Sequence, residues 1–171
     1  MNLQPSTVLT TLVVAIALQF PAQASAASLA AVVRTATRPF LSLSTAVNSG
    51  GYGQFLGCTS DQDGSMGIHY ANGSLVGDGA VDAQHPEVLM YEPMPDGSKR
   101  LIGVEFVVLA ADWNASHSAP PVLMGQLFHF EESPNRYGLP DFYALHVWAW
   151  KPNPKGTFAD WNPTVSCDYA S

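Results

Sequence analysis

From Cys58 to Cys167 the chain is divided into short runs of β-branched and aromatic residues by Gly, Pro, Asn and Asp. That punctuation restricts the fold to a sheet of short antiparallel strands. Strands are predicted over residues 67–71, 87–92, 101–109, 126–130 and 143–150. The last is apolar at both parities, with Ala144, His146, Trp148 and Trp150 on one face and Tyr143, Leu145, Val147 and Ala149 on the other. A strand of that kind is central and covered on both sides.

Three of the apolar runs each carry one metal-ligand residue: Met66-Gly67-Ile68-His69-Tyr70, Ile102-Gly103-Val104-Glu105-Phe106-Val107 and Tyr143-Ala144-Leu145-His146-Val147-Trp148. Burying an unpartnered polar group among such neighbours costs roughly 2–7 kcal/mol. One divalent ion would be a partner for all three. Two His and one carboxylate on separate elements suit nonheme Fe(II) or a catalytic-type Zn site, and imidazole also suits Cu. The candidate metal ligands are therefore His69, Glu105 and His146, with Zn, Cu or Fe as the ion and metal-assisted hydrolysis or oxidation as the chemistry. Ligands on distant strands leave no local signature comparable to H-E-x-x-H. The competing reading makes both His core residues, satisfied by backbone carbonyls or by Glu105.

His129 also interrupts an apolar run, but Glu131 and Glu132 mark the wet end of its strand. His85, before Pro86, and His117, in the polar segment 114–121, are predicted to be solvated. Asp61-Gln62-Asp63-Gly64-Ser65 begins like a calcium loop, yet Met66 and Asn72 stand where Gly and Glu are required, so it reads as a turn. The spacing of a nucleophile elbow and a phosphate-cradling glycine loop are both missing.

Pro95-Asp96-Gly97-Ser98 is a strong turn signal and makes residues 87–109 a β-hairpin. With Asp96 and Gly97 at the turn, Val88 faces Glu105 and Glu92 faces Leu101. Glu105 then shares a face with Met90, while Tyr91 and Phe106 point to the other. Glu92 lies about four residues from Glu105 along the hairpin, roughly 13 Å, too far to share one ion.

Before the strands, Phe40, Leu43 and Val47 predict an amphipathic helix over residues 37–49, with Pro39 early and Gly50-Gly51 as its stop. The fold class is α+β: an antiparallel sheet or partly closed β-barrel with this N-terminal helix packed against it. After the last strand, Thr157 can cap one helical turn carrying Phe158 and Trp161. A metal-free alternative follows, in which Trp148, Trp150, Phe158 and Trp161 form a slot for a small apolar or sugar-like ligand. A purely structural envelope protein is the third class.

The compartment is read from residues 1–26, where an apolar run from Val8 to Phe20 leads to Ala24-Ser25-Ala26, an A-x-A cleavage site, with Ala22-Gln23-Ala24 as the alternative. No Lys or Arg precedes the run, so only the amino terminus supplies the leading charge. The run falls short of the roughly 17–25 residues of a membrane anchor, which predicts a cleaved signal peptide and a periplasmic or secreted protein. Residues 27–171 then form a single exported globular domain. Its formal charge of -7 argues against nucleic acid and anionic membrane surfaces as partners and leaves a small molecule. Cys58 and Cys167, the only cysteines, are expected to form a disulfide in that compartment.

Beyond these readings, residues 57–167 resemble a group of uncharacterised exported bacterial proteins. The matching pieces are Met66-Gly67-Ile68-His69-Tyr70, Pro86-Glu87-Val88-Leu89-Met90-Tyr91-Glu92-Pro93, Gly103-Val104-Glu105-Phe106, Leu145-His146-Val147-Trp148-Ala149-Trp150 and the stretch from Asn153 to Pro163. The resemblance implies export and brings no activity with it.

Overall fold

The computed structural model describes residues 27–170. The leader expected over residues 1–26 lies outside them. Helix α1 (Leu29–Thr37) starts at Ser28, whose hydroxyl accepts from the Ala31 amide at 3.3 Å. It buries Leu29, Val33 and Thr37, a stripe at four-residue spacing. The single helix expected over residues 37–49 is replaced by a 3-10 turn (Arg38–Leu41) and a second helix, α2 (Leu43–Asn48). Because α1 ends at Thr37, Pro39 falls in the first turn of the 3-10 segment, where its missing N–H is tolerated, while its ring keeps the α-helical ladder of α1 from running on. Ser42 restarts it by accepting from the Thr45 amide. Phe40 and Leu43 pack on the core, whereas Val47 is exposed.

Beyond the helices the chain builds an antiparallel sheet from β1 (Gly53–Asp61), β2 (Gly64–Ala71), β3 (Val88–Pro93), β4 (Lys99–Leu109), β7 (His129–Glu131) and β8 (Phe142–Val147). The strand order is β1-β2-β3-β4-β8-β7, and the sheet curls into a half-barrel with the N-terminal helix against it. Short helices α3 (Gly73–Val76) and α4 (Ala110–Asn114) and a separate hairpin of β5 (Val122–Leu123) and β6 (Gln126–Leu127) fill the connections. The helix-facing side buries Leu89, Tyr91, Val104, Phe106, Val108, Leu145 and Val147 in one cluster. Val88, Val107, Phe142 and Ala144 form a second cluster, and Met90, Ile102, Trp148 and Val165 a third.

Val88 pairs with Glu105 as expected, although the loop holds three residues, Pro95 to Gly97, rather than Asp96 and Gly97 alone. Farther toward the turn a bulge at Ile102 shifts the register, so Glu92 meets Arg100 and not Leu101. The turn itself closes by a Met94 amide to Ser98 carbonyl bond of 2.9 Å, with Gly97 at φ 81°. The strand expected over residues 126–130 is two pieces: Leu127 pairs with Val122, while His129 pairs with Ala144. The strand expected over 143–150 stops at Val147, because the Trp148 amide turns to the Thr157 carbonyl and the Trp150 amide to that of Ile102. Alternation fails there, and Trp150 reaches the helix side, where its indole donates to Thr37 Oγ1 at 3.0 Å.

The tail after β8 runs back across the sheet. Asn162 and Ser65 form a β-bridge, Glu92 accepts from Lys151 and from the Ser166 amide, and Cys167 is disulfide-bonded to Cys58. Gly64 is what permits this approach: a Cβ there would come within 2.5 Å of the Asn162 backbone.

Candidate metal centre

Glu105 and His146 sit directly opposite one another on adjacent strands β4 and β8. His69 comes from β2, two strands from β4, where it pairs with Met90. Two strand spacings amount to about 9.6 Å. The curl of the sheet and the lengths of the two side chains close that gap. Each of the three residues offers a ligand atom within 4.8 Å of the other two. Both imidazoles approach the same carboxylate, His69 Nε2 to Oε2 and His146 Nε2 to Oε1, each at 3.7 Å.

These distances exceed hydrogen-bond length. His69 and His146 are 2% and 3% exposed, and all four of their ring nitrogens are buried without a hydrogen-bond partner. A buried polar atom left in that state is rare and costs about 1–3 kcal/mol. Tetrahedral ligands at 2.0–2.2 Å from an ion lie roughly 3.4 Å apart. Small side-chain rotations therefore bring the cluster into coordination.

Electrostatics favour a ligand-competent state of His69. Burial, followed by the neighbouring His146, pushes its pKa down to about 3, against a weaker opposing effect of the Gly67 backbone. It is a neutral imidazole at pH 7, the form a metal requires. His146 is shifted upward: burial resists its charge, but Glu105, Asp160 and Glu131 outweigh that resistance. Burial raises the Glu105 carboxyl, with Asp160 and Glu131 adding to the effect and His146 countering it.

Asp160 is the residue beside the cluster that sequence reasoning missed. The tail sets its Oδ1 at 3.3 Å from His146 Nδ1 and 3.5 Å from His129 Nδ1. The His146 approach is not aligned as a hydrogen bond, so the interaction is a charge contact. A small rotation of the ring would align this contact as an Nδ1–H to carboxylate bond, the bond that fixes the tautomer and orientation of a ligating His. Its only signal in the sequence was its place within the Asn153 to Pro163 stretch.

His129 is exposed and reaches the cluster only through Asp160. His85 pairs with Asp82 at the surface, and His117 stacks on Trp113 at 3.7 Å. The segment from Asp61 to Ser65 forms the β1–β2 turn, where Asp61 pairs with Arg136 and Asp63 with Lys155. The four aromatics of the alternative slot are spread apart. Trp148 packs with Met90 and Ile102 and donates to the Ala159 carbonyl, Trp150 and Phe158 pack on the helix-side core, and Trp161 lies under Arg136 at 5.3 Å. No protein family, curated protein or solved structure matches this chain, so the site is argued from its own geometry.

Proposed function

We propose that this is an exported metal-binding protein that holds one divalent transition metal ion through His69, Glu105 and His146. The observation that carries the reading is the set of four buried imidazole nitrogens without hydrogen bonds, gathered around one carboxylate. A polar core network would satisfy its own members, and this one does not. Three protein ligands leave room at the ion for a further ligand, the arrangement of catalytic Zn sites and of the two-His, one-carboxylate Fe(II) site. Asp160 behind His146 supports the same reading. Metal-assisted hydrolysis or oxidation is the chemistry proposed.

Placement in the periplasm or outside the cell is supported by the Cys58–Cys167 disulfide and by the leader pattern of residues 1–26. Among the described residues no helix is long and apolar enough to cross a membrane. The test is elemental analysis of the purified, disulfide-bonded protein after incubation with Zn, Cu or Fe(II) and gel filtration. One equivalent of metal per chain is expected, absent in His146→Ala and retained in His85→Ala and His117→Ala. Sub-stoichiometric metal in the wild type with every ion would refute the proposal.

A further inference from the structure

The cluster lies between two unlike cavities. One, of about 370 Å³, is polar and mainly acidic, with Asp61, Glu131, Glu132 and Asp160 set against Arg136 and with His146 and Glu105 in its wall. The other, of about 280 Å³, is walled by Leu56, Val76, Val88, Val107, Leu139 and Phe142, among others, and its only ionisable side chains are His69, Glu105 and Tyr137. Glu105, Tyr137 and Phe142 line both. The Tyr137 hydroxyl points to Met66 Sδ at 3.9 Å.

The two chambers select for different molecules. An acidic chamber concentrates cations and repels anions, which suits delivery of the metal. The apolar chamber offers almost nothing to a sugar, whose hydroxyls would face Val, Leu and Phe without partners. At roughly 30 Å³ per water volume, the apolar chamber accommodates on the order of ten non-hydrogen atoms. A divalent ion held by two neutral imidazoles and one carboxylate keeps one positive charge, which a single carboxylate head would neutralise.

We propose that the apolar cavity binds a small monocarboxylate with an aliphatic or aromatic body, the body lying between Val76 and Leu139 and the head meeting the ion held by His69, Glu105 and His146. This rests on the metal reading above.

Octanoate and acetate share a head and differ by six methylenes, and each methylene taken out of water is worth roughly fourfold in affinity. In the Co(II)-loaded, disulfide-bonded protein both probes should perturb the visible cobalt bands. Octanoate should do so at a concentration at least about 50-fold lower than acetate, as burial of three methylenes gives. Leu139→Trp and Val76→Trp fill the chamber from two half-buried positions. Each should keep the cobalt bands and lose the octanoate preference. Cobalt bands with octanoate no better than acetate would overturn this inference and leave the metal site standing. An octanoate preference that survives in both filled variants would overturn it too, by placing the probe elsewhere. Absence of cobalt bands in the wild type would overturn both.

Discussion

Replacing His69 by Leu separates a metal site from a self-sufficient polar core, because the two predict opposite signs. His69 is 2% exposed, and neither ring nitrogen has a hydrogen-bond partner. Leu is of similar size, so the substitution removes two stranded polar atoms, each costing about 1–3 kcal/mol, and adds a packing mismatch below about 1.5 kcal/mol. The metal-free variant should be more stable than metal-free wild type by about 0.5–6 kcal/mol. With Zn at a hundredfold excess over its dissociation constant that lead should shrink. Binding then adds about 2.7 kcal/mol to the wild type and nothing to the variant. At roughly 2–4 °C per kcal/mol for a domain of this size, the wild-type Tm should rise by about 5–11 °C on adding Zn while that of the variant stays fixed. Differential scanning fluorimetry with and without chelator reads both numbers. A metal-free His69→Leu protein that is less stable than wild type, with neither responding to metal, would show that the imidazole is already satisfied in the core and would refute the reasoning.

Three further outcomes follow from other parts of the structure. Asp160→Asn should weaken metal affinity by about 10–100-fold while leaving one site per chain, as loss of a carboxylate behind a ligating His does, measured by competition with a chromogenic chelator; unchanged affinity would remove Asp160 from the site. Glu87, 2% exposed and accepting from the Val107 amide at 3.0 Å, has its pKa raised from 4.5 to about 8, chiefly by burial. Its folded pKa lies above its unfolded one, so its contribution to stability is complete below pH 4.5 and is lost as pH rises through about 8. The stability of metal-free wild type relative to metal-free Glu87→Gln should therefore fall between pH 5 and 8 by up to about 1.4 kcal/mol per unit; parallel profiles would contradict the assignment. Cys58→Ala with Cys167→Ala opens a bond that spans 109 residues and should cost about 2–5 kcal/mol in urea unfolding at fixed metal, whereas a loss below about 1 kcal/mol would mean the tail is held by its other contacts.

Local chemistry made much of the molecule legible before any coordinates. The Pro95 to Ser98 signal marked the hairpin, yet its loop holds one residue more than the two expected, and Val88 meets Glu105 only because the bulge at Ile102 offsets that extra residue. The apolar runs around His69, Glu105 and His146 marked each residue as interior, since hydrophobic neighbours on a strand state burial directly. Other features left no such trace. Strand β1 was not predicted: it is an edge strand, largely exposed and repeatedly bulged, so its sequence carries no alternation. Helix α1 hides in an alanine-rich stretch, so one helix is expected from Thr37 where the chain has already completed α1 and Pro39 opens a separate 3-10 turn. Only the tertiary structure decided that the three interior ligands meet, because the meeting depends on strand order and on curl across two strand spacings. It alone brought Asp160 behind His146, through a tail held by Asn162, Glu92 and Cys167. Burial is a property of a residue and its neighbours in sequence, whereas convergence is a property of segments far apart in the chain, set by how the sheet closes.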